Sequence, residues 1–369
     1  MNKIPTTEGI KYTGSKLKLL PEITKLIEKT DSDTIIDCFS GTTRVSQALS
    51  KLGYRVICND QAIWSYHFGN CYLLNKSNLE YYQKLVSYLN SLPSKDGWFT
   101  KHYGGISNFS FSIQKDGLKK PFQIHNTRKL DAIREEIDNL DIDFVTKSVL
   151  ITSLVLALDK VDSTLGHFSS YLNKWSKRSY NNLHLKVPNT FISNRDNIVF
   201  NDDIFNLLPN LKGDLAYIDP PYGSNNEKMP SSRVRYASYY HFWRSVCLFD
   251  KPTLFGKAKR PTDTSDKVCE SPFESFQRNE EGDFIALRAI EDLIERLNVK
   301  WILLSYSSGG RATASDLDKI LRKQGKIKEI IKLDYKKNVM SNFSSTGEWL
   351  KDSDQSHQEF LFLLRKFNK

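Results

Sequence analysis

The chain has little cysteine and no pattern to it. Cys38, Cys58, Cys71, Cys247 and Cys269 are an odd number, widely spaced, with no CxxC or HxxxH pair among them. That argues against a disulfide framework and against a zinc site. Cys38 and Cys58 fall in apolar runs and read as small core residues. Long apolar runs are also missing. The longest, Val149 to Leu158, has ten residues, includes Thr152 and Ser153, and is flanked by Lys147 and Asp159. It is too short to span a bilayer and suits a buried helix. The first residues, Met1 to Glu8, hold no apolar signal region, so the expected location is the cytoplasm. There is no GxGxxG set, which weakens any dinucleotide reading. No internal repeat or low-complexity tract is visible.

What is present is basic charge. The net charge is +10 and the pI about 9.1. Gly223 to Arg260 carries eight basic and two acidic residues, and so supplies +6 of that total. Tyr171 to Lys186 contains Lys174, Lys177, Arg178 and Lys186 with no acid. Either segment alone could be a solvated loop. Two basic segments laced with aromatic residues point to a polyanion, nucleic acid in particular. With 369 residues, two lobes or one domain with a large insertion are expected.

The first 70 residues read as α/β. Thr34 to Asp37 is a strand, Phe39 to Thr42 a turn, Thr43 to Lys51 a helix, and Tyr54 to Cys58 a second strand, parallel to the first. Residues from 72 to 195 change character. Helical spacing dominates (Leu79 to Leu92, Thr127 to Leu140, Phe144 to Leu158), broken by polar loops. Strands resume at Ile198 to Phe200 and Leu215 to Ile218. Beyond a basic loop come a helix (Phe284 to Leu297), a strand from Trp301, a helix (Ala314 to Gln324), a strand (Ile327 to Leu333) and a last strand (Glu359 to Leu364). The alternation implies an α/β fold, a doubly wound and mostly parallel sheet with helices on both faces. Three segments are expected: residues 1–71 and 196–369 as the two parts of one domain, and 72–195 as an inserted, mainly helical lobe. A basic loop covers 223–280.

The chemistry concentrates at strand ends. The apolar strand Leu215 to Ile218 stops in Asp219-Pro220-Pro221-Tyr222. Neither proline has an N–H for a ladder, so the chain must turn there. A carboxylate, a rigid carbonyl and an aromatic ring then stand at the carboxyl end of a strand, where open α/β sheets bind ligands. The tetrapeptide alone does not decide between turn and site. Its neighbours add to it. Asp37-Cys38-Phe39-Ser40-Gly41 lies where the first strand hands over to its helix, and Gly41 permits a tight turn and close approach of a ligand. Asp60 ends the second strand, where an acid can accept ribose hydroxyls. Lys11-Tyr12-Thr13-Gly14-Ser15-Lys16 offers an aromatic wall and a cation for a carboxylate. Asp203 ends another strand and reads either as a helix cap or as a ligand acid.

In this order the motifs resemble the Dam-like DNA adenine methyltransferases. The resemblance covers both ends of the chain and leaves the insertion out. It implies a Rossmann-like fold, S-adenosylmethionine as cofactor, no metal, and double-stranded DNA as substrate. Tyr12 and Lys16 match the family's N-terminal cofactor motif, and Asp37, Phe39 and Gly41 its methionine-side loop. Asp60 matches the ribose-binding acid, Asp203 the acid beside the cofactor adenine, and Asp219 to Tyr222 the catalytic motif. Leu303 to Ser307 resembles the strand end flanking the target base. Tyr12 departs from the common Trp, and the segment after Tyr222 is longer than in Dam itself. The insertion is then expected to read sequence, through Lys101 to Gly105 and Asp162 to Arg178. Lys174, Lys177, Arg178, Arg233 and Arg235 are the expected DNA contacts. A monomer, with a restriction endonuclease acting on the same site, completes the expectation. Cytosine, RNA adenine or a protein glutamine as target, or a binding module with a vestigial pocket, are the competing readings.

Overall fold

A computed structural model describes residues 4–107, 110–223, 236–265, 271–335 and 357–367. Its centre is a seven-stranded sheet. The strands are β1 (Thr34–Asp37), β2 (Arg55–Asn59), β3 (Ile198–Phe200), β4 (Leu215–Ile218), β5 (Trp301–Ser307), β6 (Gly325–Tyr335) and β7 (His357–Lys366). Their spatial order is β6-β7-β5-β4-β1-β2-β3. All neighbours are parallel except β7, which runs antiparallel to both β5 and β6. The order reverses between β1 and β4, which creates a crevice at the carboxyl ends of those strands. This is the doubly wound, Rossmann-like arrangement that the resemblance implies.

Period-two burial explains the sheet's two faces. Ile36, Ile57, Ala216, Ile218, Ile302, Leu304, Phe360 and Phe362 pack on one side. Ile35, Val56, Leu215, Tyr217, Leu303, Leu361 and Leu363 pack on the other. Helices α1 (Leu20–Glu28) and α2 (Arg44–Lys51) cover the second face. Ile23, Leu26 and Ile27 of α1 are fully buried, each contributing about 1.5–3 kcal/mol. Between β2 and the insertion lies α3 (Ile63–Leu73). It has almost no exposed face, and Gly69 lets it close on the sheet. A Cβ there would stand 2.6 Å from Val199 Cγ1.

The insertion supplies α4 (Leu79–Ser91), α5 (Ile124–Asn139) and α6 (Phe144–Leu158). Helix α5 begins a turn before the expected Thr127. Asp143 caps α6, accepting from the Val145 and Thr146 N–H groups. The segment expected as one loop over 223–280 is not a loop where it is described. Tyr236–Tyr239 is helical, α7 spans His241–Leu248, and Leu254–Phe255 pairs antiparallel with Arg260–Pro261. The reason is its aromatic content. Tyr240, Phe242, Trp243, Val246 and Cys247 are buried in the same core as Phe99, Tyr103, Phe122 and Phe168 of the insertion. Arg134, itself buried, donates to Val246 O at 2.6 Å and Cys247 O at 3.0 Å, which satisfies carbonyls at the end of α7. Helices α8 (Ile285–Arg296) and α9 (Ala314–Gln324) cover the first sheet face.

Candidate active site

A cavity of about 640 Å³ opens at the sheet's reversal point. Tyr12, Lys16, Asp37, Phe39, Gly41, Asp60, Asp203 and Asp219 to Tyr222, all singled out in the sequence, line it together. Residues far apart in the chain meet there because strands β1, β2 and β4 end on the same edge of the sheet.

At one end Gly41 turns with φ +47°, a left-handed conformation natural to glycine. A Cβ at Gly41 would press on the Tyr12 ring at 3.3 Å. The Gly41 N–H donates to Asp60 Oδ2 at 2.7 Å and the Ala62 N–H to Asp60 Oδ1 at 2.8 Å. These two bonds fix the Asp60 carboxylate, and burial outweighs them to raise its pKa. Asp37 is fully buried. Ser46 Oγ donates to its Oδ2 at 2.6 Å, whereas Oδ1 has no hydrogen-bond partner among the described residues. Burial, assisted by the charges of Asp219 and Asp60, pushes Asp37 up to about 7. Asp203 stands both at a helix start and on the cavity wall. It caps a short helix by accepting from the Phe205 N–H, and it lines the cavity, accepting from Gln61 Nε2 at 2.7 Å. Phe39 meets Phe273 edge-on at 5.1 Å, and Tyr12 stacks on Tyr240 at 4.7 Å.

At the other end Lys16, Asp219, Tyr222 and Glu359 form one network. The Lys16 ammonium is buried, 3.1 Å from Asp219 Oδ1 and 3.4 Å from Glu359 Oε2, and also donates to the Tyr222 hydroxyl. That hydroxyl donates to Asp219 Oδ1. Burial works against the lysine's charge, but Asp219 and Glu359 outweigh it and raise its pKa. Burial pushes Asp219 up to about 6, with Lys16 and the Tyr222 hydroxyl pulling the other way. The Tyr222 ring leans on Tyr306 of β5 at 4.7 Å. Tyr306 is held in turn by the Ala312 N–H, and the Arg311 N–H donates to Tyr222 O at 3.0 Å. The strand-end motif Leu303 to Ser307 therefore supports the tetrapeptide from below.

The expected basic contacts lie elsewhere. Lys174 and Lys177 are exposed and do not line the cavity. Arg178 is committed internally: its guanidinium donates to Asp162 Oδ1, Asp162 O and Thr164 O, each at 2.9 Å. Asp162 also holds Lys11 Nζ at 2.9 Å, which ties the N-terminal motif to the insertion. Arg233 and Arg235 lie outside the described residues. Lining residues that sequence reasoning missed include Trp64, Tyr236, Tyr240 and Phe273. They sit in helices and loops without a strand-end signal. Among the described residues no cluster of His, Cys, Asp and Glu could hold a metal ion.

The donor set suits a cationic, aromatic ligand. Asp37 presents a buried acceptor without a donor, Asp60 is pre-aimed by backbone bonds, and aromatic rings flank both. The comparisons agree with that chemistry. Modification methylase StsI from Streptococcus sanguinis is 31% identical over 356 residues, covering 92% of this chain and 50% of that protein. Type II methyltransferase M.FokI from Planomicrobium okeanokoites is 28% identical, covering 97% and 53%. The chain thus spans about half the length of these two relatives. Type II methyltransferase M.NlaIII from Neisseria lactamica is 26% identical over 88% of this chain and 91% of its own. The family model for D12 class N6 adenine-specific DNA methyltransferase matches residues 12–241, from Tyr12 of the cofactor motif through the tetrapeptide to α7. With more than half of its length matched, the chain belongs to the D12 class of N6 adenine-specific DNA methyltransferases.

Proposed function

We propose that this chain methylates the exocyclic N6 amino group of an adenine in double-stranded DNA, at a specific site, as part of a restriction-modification system. The observation that carries this reading is Asp219-Pro220-Pro221-Tyr222 at the end of β4, facing a cavity whose opposite end is lined by Asp37 and Asp60. When bound, S-adenosylmethionine supplies an electrophilic methyl group on a sulfonium centre. Tyr12, Lys16, Asp37, Phe39, Gly41, Asp60 and Asp203 would hold it. The orphaned acceptor of Asp37 suits an ammonium, and Asp60 suits ribose hydroxyls.

The tetrapeptide acts on the substrate nitrogen. An adenine amino group is a weak nucleophile because its lone pair is delocalised into the ring. The Asp219 carboxylate and the Pro220 carbonyl accept its two hydrogens, which draws the nitrogen toward a tetrahedral shape and localises the pair. Proline fixes φ, so its carbonyl is aimed before substrate arrives. The Tyr222 ring, braced by Tyr306, offers a stacking face. The base must leave the duplex to reach this edge.

The insertion 72–195 is assigned to sequence readout. Lys101 is exposed and Lys259 half-buried beside His102, whereas Lys120 is buried and donates to His102 O at 3.1 Å; burial first, then these three charges, depress the His102 pKa. Lys174 and Lys177 extend the candidate phosphate contacts, with Arg233 and Arg235 in the basic segment beyond Tyr222. Arg178 serves by holding the loop around Asp162. A monomer in the cytoplasm, with a cognate endonuclease as partner, completes the proposal. The test is a tritiated-methyl assay on DNA, RNA and protein, followed by digestion of the product to nucleosides. Label in N6-methyladenine supports the reading. Label in cytosine, RNA or protein, or none, overturns it.

A further inference from the structure

Glu359 is an acid that shares the Lys16 ammonium with Asp219 and that neither the tetrapeptide nor the cofactor motifs include. Its position follows from topology. Six strands bring their carboxyl ends to the ligand edge; β7 is antiparallel and brings its beginning. Glu359 stands opposite Ser307, the last residue of β5, and alternation along the strand leaves Phe360 and Phe362 in one core and Leu361 and Leu363 in the other. It is mostly buried, with its side chain 14% exposed. A carboxylate in that place needs a cation, and the cation it finds is Lys16 at 3.4 Å. Lys16 is simultaneously 3.1 Å from Asp219.

We propose, building on the methyltransfer reading, that Glu359 is a positioning residue: it competes with Asp219 for the Lys16 ammonium, and so keeps the Asp219 carboxylate available to a substrate amino group. With a single carboxylate, the buried ammonium would close a tight pair on Asp219, and the incoming amine would have to break it. Two carboxylates sharing one ammonium cannot both be fully neutralised, so the network holds an excess negative charge beside the reacting nitrogen. The remaining groups that face Asp219 do not relieve this. Asp37 on β1 adds negative charge, and Tyr12, Tyr217, Tyr222 and Tyr236 are kept neutral by burial. Glu359 is thus the neighbour whose removal most directly returns Lys16 to Asp219.

The test is Glu359→Gln, with Glu359→Asp as the variant that keeps the charge but withdraws it by one methylene. In ligand-free protein carrying ¹³C-carboxyl aspartate, Asp219 is assigned by Asp219→Asn and titrated. Glu359→Gln is expected to lower the Asp219 midpoint by about half a pH unit or more, and Glu359→Asp to lower it part of the way. In methyl transfer, the acid limb of kcat/KM for DNA moves down with it, and kcat on the plateau falls by about tenfold. An unchanged Asp219 midpoint in both variants overturns the proposal, and so does a loss of rate with a fixed acid limb, which is what a merely structural role gives. Should Glu359→Gln not fold, Glu359→Asp carries the same measurement. The titration needs no activity. A shifted midpoint in a protein that methylates nothing would therefore sink the functional reading and leave the network standing.

Discussion

The sheet edge and the insertion hold their side chains in place by different means. Along the sheet edge the backbone does the positioning. Gly41 and Ala62 N–H groups aim Asp60, Pro220 aims a carbonyl, and each residue owes its place to the end of a strand. In the insertion, aromatic packing does it. Phe242 is touched by Phe99, Tyr103, Phe122 and Phe168, so α7 and the insertion share one core although the sequence separates them by two strands and the tetrapeptide. An edge built from backbone tolerates loss of a side chain and fails only in chemistry. A core built from rings fails in stability first.

That contrast can be broken or sharpened by experiment. The largest effect is expected at Asp219. Asp219→Ala should cost about 10²–10³-fold or more in single-turnover methyl transfer while cofactor binding, followed calorimetrically, persists. Retained transfer would remove the tetrapeptide from the mechanism. Phe242→Ala, by contrast, should lose about 3–5 kcal/mol in urea unfolding. If it instead unfolds like the wild type, the shared aromatic core is not what holds the insertion. Asp60→Asn should weaken cofactor binding by about 10- to 100-fold with little change in unfolding midpoint, since its bonds are local. Lys174→Ala with Lys177→Ala should lower DNA affinity modestly and reduce the salt slope by about one for each phosphate no longer neutralised; an unaltered slope removes both from the interface.

The smallest effect concerns pH. Asp37 and Asp219 have folded pKa values of about 7 and about 6, above the value of about 4 that an exposed aspartate has in an unfolded chain. The folded state therefore binds more protons between those values. The stability these groups contribute is complete below about pH 4 and is lost as pH rises through 6 to 7. Melting of the ligand-free protein should drop between pH 5.5 and 8, and Asp37→Asn should flatten the drop. A cationic ligand should raise the melting temperature more at pH 8 than at pH 5.5.

The sheet edge was legible in the sequence because its signals are local. A strand that ends in Asp-Pro-Pro announces its own turn, and Asp37, Asp60 and Asp203 each close an apolar run. Helix α3 was not legible. Trp64, Phe68, Cys71 and Tyr72 are buried along with Ser65, His67 and Asn70, so no polar face marks a helical period. The basic stretch after Tyr222 misled for a related reason: its charges suggested solvent, while Tyr240, Phe242 and Trp243 decided its structure. Arg178 reads as a surface cation until Asp162 is seen beside it. Glu359 escaped because strand ends drew attention, and on an antiparallel strand the residue at the ligand edge is near the start.

The Lys16–Glu359 pair joins residues 343 positions apart. Loop closure over such a distance comes late, after local and neighbouring strands have formed. The charge balance of the reacting end therefore exists only in a chain whose sheet is already complete. A chain ending before β7 would lose Glu359 together with the strand that joins β5 to β6, whose Phe360 to Leu364 are buried in both cores. Completion of folding and readiness for chemistry are then the same event.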